Sequence, residues 1–191
     1  MNRPGAKLAP CLPKPSHGIV VRIRTRACDL DYRERLLPPK KLTGMSHAYA
    51  RNYVHLIFGT RESRKLIKPP IEIELRKALR GIAVQYGIDL IEIGATEDHV
   101  HLVVCMPPKI GVAVAVRVFK AESAKQVNES GHFFAWQQGY GAFSVSASNL
   151  DSVVKYVREQ TEYHRSRTFD EEFRSFLVKH GIRTTAPVVT D

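Results

Sequence analysis

Two histidines stand two residues apart in a segment rich in β-branched residues, at His99 and His101. Because side chains alternate between the two faces of a β-strand, both imidazoles project from one face, while Val100, Leu102 and Val104 project from the other. Two neutral imidazoles on one face suit a divalent metal ion, but two ligands do not complete a site. The alternative is a pair of half-buried histidines that bind nothing.

A tyrosine and a glutamine follow at helical spacing near the end of the chain. Tyr156 and Gln160 are four residues apart, so a helix presents both on one face. A glutamine oxygen can bind a hard cation, and a tyrosine can act as a nucleophile that forms a covalent intermediate. Tyr163 and His164 lie close by and compete for a chemical role. The alternative is a solvated helix whose tyrosine packs on the domain.

Hydrophobic periodicity predicts the elements that position these residues. The predicted strands cover residues 52–60, 88–96, 99–106 and 142–148. The predicted helices cover residues 71–86, 111–129, 150–165 (capped by Ser148 or Asn149) and 170–179. The order β-α-β-β-α-β indicates an α+β, ferredoxin-like (RRM-like) fold, in which an antiparallel sheet carries both helices on one face. Its other face is then free for a ligand.

The first 44 residues differ in composition from the rest of the chain. They hold six of the 11 prolines, and ten Lys and Arg against three Asp and Glu. We predict a disordered, Pro-rich basic extension over residues 1–44, one domain over residues 45–182 and a tail over residues 183–191. Met45 begins the periodic part, so the extension is either an upstream reading or a basic arm that contacts a nucleic acid.

Composition limits the class of protein. The net charge of +10 points toward a polyanionic partner such as nucleic acid, but most of the basic excess lies in residues 1–44, which weakens this interpretation. No apolar run approaches the roughly 18 residues that span a bilayer, and no secretory signal is visible, so we expect a cytoplasmic protein with no membrane partner. The three cysteines form no C-x-x-C pair, which argues against a disulfide framework or a zinc site.

Four segments occur in an order that resembles the single-tyrosine HUH transposases of bacterial insertion sequences, the enzymes of the smallest, single-strand-mobilising elements. The segments are EDHVHLVV, FKAESAKQVN, WQQGYGAFSVS, and VVKYVREQTEYHR followed by FDEEFRSFLVKHGI. The resemblance covers about residues 45–182. It implies a ferredoxin-like domain whose additional C-terminal helices carry the nucleophilic tyrosine.

The resemblance also implies an activity. His99, His101 and Gln160 would hold Mg²⁺ or Mn²⁺, and Tyr156 would cleave and rejoin single-stranded DNA through a 5′-phosphotyrosine intermediate. It further implies a homodimer that recognises DNA hairpins at the ends of the element. The chain contains no G-x-x-x-x-G-K-[ST] phosphate loop, so we expect no nucleotide cofactor.

Several side chains are candidates for contacts with DNA, because cations neutralise phosphates and aromatic rings stack on unpaired bases. These candidates are Arg117, Lys120, Lys125, Trp136 and Tyr140. The alternatives are a solvated helix face for the cations and core packing for the tryptophan. His55, on the first strand, is expected near the metal site in a supporting or packing role.

Two other functions fit parts of the pattern. One is a domesticated relative that processes palindromic repeats in the chromosome. The other is a non-catalytic module that binds single-stranded nucleic acid, because the same strand order serves RNA-binding domains. Such modules carry aromatic residues where this chain has histidines, so the set of His99, His101, Tyr156 and Gln160 favours an enzyme.

Overall fold

A computed structural model of the 191-residue chain describes residues 49–164 and 167–184. The predicted extension over residues 1–44 and nearly all of the predicted tail lie outside the described residues. Within the described part, four strands and five α-helices occur. The strands are β1 (Asn52–Gly59), β2 (Asp89–Ala95), β3 (His99–Met106) and β4 (Gly141–Val145). The helices are α1 (Ile71–Tyr86), α2 (Val112–Glu129), α3 (Leu150–Arg158), α4 (Gln160–Tyr163) and α5 (Phe169–Lys179).

The strands form one antiparallel sheet in the order β2-β3-β1-β4. The four strands and the first two helices follow the order β-α-β-β-α-β, so the predicted ferredoxin-like α+β fold is confirmed. The two central strands pair along their whole length, with Ile57 opposite His101. The histidine segment therefore lies in the middle of the sheet, where the backbone is held on both sides.

One face of the sheet carries the main hydrophobic core. Alternate residues of β1 and β3 contribute to it, among them Leu56, Phe58 and Leu102, each fully buried. Helices α1 and α2 pack together over this face and add large side chains such as Leu79 and Phe119. Burial of these apolar surfaces, at about 25 cal/mol per Å², is the dominant favourable term in folding.

The other face is covered, whereas the sequence predicted that it would be free. Helix α3 packs on β2 and β3, and α4 packs on β2. Phe169 and Phe173 of α5 pack on Ile57 and Phe143. Gly94 of β2 permits this close approach, because a Cβ atom there would lie 2.3 Å from the backbone oxygen of Val157. The C-terminal helices therefore cover the face of the sheet that carries His99 and His101, which we call the histidine face.

The C-terminal elements differ in detail from the prediction. A single helix was expected over residues 150–165, but the chain breaks at Glu159, whose φ of −91° and ψ of 16° leave the helical region. Strand β4 ends at Val145 instead of residue 148, because a 3₁₀ turn follows at Ala147–Asn149. Asn149 precedes α3, as predicted, but its side chain makes no capping hydrogen bond.

Candidate active site

The two histidines of β3 lie at the centre of the covered face. His99 and His101 are both fully buried, and their ring centroids are 5.0 Å apart. Val100, Leu102 and Val104 point into the main core on the opposite side, as strand alternation requires. One face of the strand is therefore apolar, and the other carries the two imidazoles.

Two further groups reach these histidines from the C-terminal helices. Glu172 of α5 places Oε2 3.3 Å from Nε2 of His99, 3.3 Å from Nε2 of His101 and 2.9 Å from Nε2 of His164. One ligand atom from each of the four residues lies within 4.8 Å of the others. We call His99, His101, His164 and Glu172 the His/Glu cluster. It could hold a divalent metal ion.

Gln160 lies beside this cluster and is almost completely buried. Its Nε2 donates to Oε1 of Glu172 at 3.2 Å, while its Oε1 has no hydrogen-bond partner. Nε2 of His101 is likewise buried without an aligned hydrogen bond. Because a buried polar atom without a partner is costly, two unpaired polar atoms at one place indicate a site built for a ligand.

The rings of the cluster are oriented by neighbouring side chains. Nδ1 of His99 lies 2.6 Å from Oδ1 of Asp98 and 2.8 Å from Oγ1 of Thr96. Nδ1 of His101 lies 2.9 Å from Nε2 of His55 on β1. In both rings Nδ1 is engaged, so Nε2 is the atom that faces the cluster.

Burial and charge set the protonation of the cluster in opposite directions. Burial lowers the pKa of His101 to about 4, so this ring is neutral near pH 7. Burial also disfavours the charged form of His99, but hydrogen bonds to Asp98 and Glu172 raise its pKa above the usual value. Burial would raise the pKa of Glu172, yet the imidazoles of His101 and His99, each with Nε2 3.3 Å from Oε2, lower it to about 2. Glu172 is therefore a carboxylate at any physiological pH.

Tyr156 of α3 joins this arrangement within the same chain. Its hydroxyl donates a hydrogen bond to Oε1 of Glu172, the same carboxylate that contacts the histidines. The Tyr156 ring centroid is 6.1 Å from that of His101 and 4.9 Å from that of Tyr163. Tyr156 also lines a cavity of about 360 Å³, whose wall includes Tyr163, Arg167, Lys179 and His180. The hydroxyl is thus close to both the cluster and an opening.

The candidates for DNA contact lie outside the His/Glu cluster. Arg117 and Lys125 are exposed on α2, and Tyr140 is exposed in the loop before β4. Lys120 donates instead to the backbone oxygens of Gln137 and Gly139, at 2.6 and 2.8 Å. The Trp136 ring packs edge-on against Phe58 and Phe134, and its Nε1 donates to Oγ of Ser123. Lys120 and Trp136 thus both have structural partners.

Sequence reasoning did not identify Glu172 as part of the site. Its signal is weak, because it is one of three acidic residues in the first turn of α5, where acidic residues commonly stabilise a helix. His164 was considered only as a competitor of Tyr156, although its imidazole joins the cluster. No local spacing links either residue to β3, because a separate helix and loop bring them there.

Comparison with known proteins identifies the family. The sequence model described as "Transposase IS200 like" matches residues 48–160, more than half of the chain. The chain belongs to this family. The ISDra2 transposase TnpA of Deinococcus radiodurans is 27% identical over 135 residues, which are 65% of this chain and 94% of that protein.

Two solved structures share the fold of this IS200-like transposase. A crystal structure of a Deinococcus radiodurans R1 protein, described as a transposase, has a TM-score of 0.51 at 22% identity and covers 62% of this chain and 98% of its own. A REP-associated tyrosine transposase bound to a REP hairpin also has a TM-score of 0.51, at 15% identity, and covers 78% of this chain and 94% of its own.

The family match ends at Gln160, so His164 and Glu172 lie beyond the matched segment of this transposase. Half of the His/Glu cluster therefore comes from the C-terminal part that the family model does not cover. None of the helices within residues 49–164 and 167–184 has the length and hydrophobicity of a membrane-spanning segment.

Proposed function

We propose that this IS200-like transposase cleaves and rejoins single-stranded DNA in a metal-dependent reaction, with Tyr156 as the nucleophile and a 5′-phosphotyrosine intermediate. The observation that carries the proposal is the shared carboxylate of Glu172. One of its oxygens accepts the hydrogen bond from the Tyr156 hydroxyl, and the other faces the three imidazoles of the cluster. A nucleophile and a metal-binding group are thereby held side by side.

We propose His99, His101 and Gln160 as metal ligands, with His164 and Glu172 completing the donor set. The unpaired Nε2 of His101 and Oε1 of Gln160 fit a cation, which would satisfy both. Imidazoles favour later transition metals, whereas carboxylate and amide oxygens favour Mg²⁺ and Mn²⁺. This mixed set suits Mn²⁺ better than Mg²⁺. When bound, the ion supplies Lewis-acid polarisation of the scissile phosphate.

The residues of the chain then have separate tasks. Glu172 Oε1 holds the phenolic hydrogen of Tyr156 and so fixes the direction of the oxygen lone pairs. The Tyr156 oxygen forms a bond to phosphorus while the bond from phosphorus to the 3′-oxygen breaks. The phenolic proton passes along its hydrogen bond to Glu172, which releases it to the solvent. The departing 3′-oxygen takes a proton from solvent water and becomes a 3′-hydroxyl, so that no net proton is gained or lost. Attack by another 3′-hydroxyl reverses these steps and joins new ends without a nucleotide cofactor.

We propose single-stranded DNA with hairpins as the substrate. The fold neighbour that is bound to a REP hairpin supports this choice of ligand. The exposed Arg117, Lys125 and Tyr140 are suited to phosphates and unpaired bases, whereas Lys120 and Trp136 would first have to leave their structural partners. A homodimer and a cytoplasmic location remain predictions. Tyr156 reaches Glu172 of its own chain, which supports an active site in cis.

A second candidate function is the processing of chromosomal palindromic repeats by a domesticated relative. The observation that supports it is the shared fold with the REP-associated tyrosine transposase, which extends over 78% of this chain. The two functions share one chemistry. They differ in the DNA that flanks the gene, since a mobile element is bounded by its own hairpins.

The proposal is tested by incubating the protein with labelled single-stranded hairpin DNA from the flanks of the gene, in the presence of Mg²⁺ or Mn²⁺. We expect a covalent band that survives denaturation, requires the metal and disappears in Tyr156→Phe. Tyr163→Phe is the matched control, because its ring lies 4.9 Å from that of Tyr156 but is 46% exposed. An adduct that survives Tyr156→Phe and is lost in Tyr163→Phe would transfer the role to Tyr163. Hairpin binding without any adduct would favour a binding module.

A further inference from the structure

His55 is a buried polar residue at the centre of the sheet, and the proposed reaction does not use it. It lies on β1, is 2% exposed, and projects from the same face as Ile57. Its Nε2 is 2.9 Å from Nδ1 of His101 on the neighbouring strand. This contact is diagonal, because the register places His55 opposite Val103. It joins the two central strands directly beneath the cluster.

The two histidines of β3 are supported differently. Nδ1 of His99 faces the carboxylate of Asp98 and the hydroxyl of Thr96, at 2.6 and 2.8 Å. A carboxylate can only accept, so it fixes the hydrogen of His99 on Nδ1. In the described part of the chain, Nδ1 of His101 meets a single partner, which is another imidazole. That partner can either donate or accept, so the hydrogen has two possible positions.

Each position has a consequence for the opposite side of the His101 ring. A contact of 2.9 Å between two nitrogens holds one hydrogen. If His55 donates it, His101 carries its own hydrogen on Nε2, which then blocks that atom as a metal ligand. If His101 donates it, the Nε2 lone pair faces the cluster. Nε2 of His101 has no aligned acceptor although Glu172 is 3.3 Å away, so a hydrogen at Nε2 would be buried without a good partner.

We propose that His55 is a positioning residue that accepts a hydrogen bond from Nδ1–H of His101 and thereby keeps the Nε2 lone pair directed at the His/Glu cluster. His55 then carries its own hydrogen on Nδ1. Groups that accept from the non-ligating nitrogen of a histidine fix both its tautomer and its ring orientation. His55 supplies to His101 the support that Asp98 supplies to His99, with a neutral group in place of a carboxylate. The link to metal binding rests on the proposed function, whereas the tautomer does not.

The test is the tautomer of His101 in the metal-free protein, read from long-range ¹⁵N–¹H correlations of the imidazoles. We expect the Nδ1–H form of His101 in the wild type and in His55→Gln, whose amide oxygen can accept in place of Nε2. We expect a shift toward the Nε2–H form in His55→Phe, which fills the space but cannot accept. His99 is an internal control, because its partner Asp98 is unchanged and its signals should not move if the fold is intact.

Mn²⁺ affinity, measured by the loss of free-ion electron paramagnetic resonance, gives the second readout. We expect His55→Phe to bind Mn²⁺ roughly 10- to 100-fold more weakly, and His55→Gln to stay within about threefold of the wild type. A wild-type His101 in the Nε2–H form, or a tautomer unchanged in His55→Phe, would overturn the inference. Neither result depends on DNA cleavage or on metal. Loss of the proposed function with the expected tautomers would therefore leave the positioning role standing.

Discussion

The two faces of the sheet differ in how they are built, although the same strands form both. The face toward α1 and α2 is continuous and apolar, and Phe58 and Leu102 are completely buried in it. The face toward the C-terminal helices places His55, His99 and His101 side by side, with only a small apolar cluster around Ile57. Strand alternation allows adjacent residues to serve packing and chemistry separately.

The two faces of the sheet are also covered by different parts of the chain. The apolar face is completed by two helices that belong to the β-α-β-β-α-β unit itself. The histidine face is completed by Tyr156, Gln160, His164 and Glu172, all of which follow the last strand. The first face should therefore govern stability, and the second should govern activity. Three substitutions test this division.

The largest expected effect is on stability, from Leu102→Ala. Leu102 is fully buried on the face of β3 that belongs to the main core, so its truncation removes apolar contacts and leaves a cavity. We expect the free energy of unfolding to fall by about 2–5 kcal/mol. The measurement is urea unfolding, together with adduct formation per folded molecule, which should stay near the wild-type level.

Ile73→Ala is the control for this substitution. Ile73 lies on α1 but is 65% exposed, so its truncation should change stability by no more than about 0.5 kcal/mol. Equal losses in the two variants would contradict the assignment of Leu102 to the core. A loss of adduct formation in folded Leu102→Ala would break the proposed separation of the two faces.

The apolar face could be predicted from the sequence because its signals are local. Alternation over residues 52–60 and 99–106 defined both central strands, and helical spacing with Gly87 as the stop gave the bounds of α1. The prediction of an open second face was wrong for a physical reason. Small residues such as Gly94 permit close approach of a helix, but they do not say which segment will approach.

The second expected effect is on the histidine face, from Gly94→Ala. The new methyl group would lie 2.3 Å from the backbone oxygen of Val157 and 2.9 Å from Cγ of Gln160, so α3 and α4 must move outward. We expect a loss of about 1–3 kcal/mol of stability from this overpacking. Adduct formation per folded molecule should fall at least about tenfold, because misplacement of catalytic groups is costly.

Gly81→Ala is the matched control for Gly94→Ala. Gly81 lies within α1, and an added Cβ would meet nothing within 4 Å. This variant should gain roughly 0.5–1 kcal/mol of stability, because alanine restricts the unfolded chain and favours the helix. If Gly94→Ala kept full adduct formation, the close packing of α3 on β2 would not be needed for the site.

The candidate site could be predicted only as far as its spacing is local. His99 with His101, and Tyr156 with Gln160, each lie within one element, so the period of a strand or a helix brought them to notice. Glu172 lies 71 residues beyond His101 in the numbering and reaches it only through the packing of α5. His55 is the exception, because the neighbouring positions of the first and third strands predicted it near the metal site, and its Nε2 lies 2.9 Å from Nδ1 of His101.

The smallest expected effect is from Thr168→Ala, at the start of the helix that carries Glu172. Thr168 forms a capping box with Glu171: its backbone N–H donates to the Glu171 carboxylate at 2.9 Å, and its side chain accepts from the Glu171 N–H. Loss of the cap should lower stability by about 1 kcal/mol and loosen the first turn of α5. Because Glu172 lies in that turn, Mn²⁺ affinity should fall by up to about fivefold, which corresponds to about 1 kcal/mol.

Thr168→Ser keeps the hydroxyl and should behave as the wild type in urea unfolding and Mn²⁺ titration. An equal loss in both variants would show that the methyl group, not the cap, holds α5 in place. If Thr168→Ala lost stability but kept its Mn²⁺ affinity, the packing of Phe169 and Phe173 would be sufficient to hold α5 over the histidine face. The two faces would then differ less in their packing than we propose.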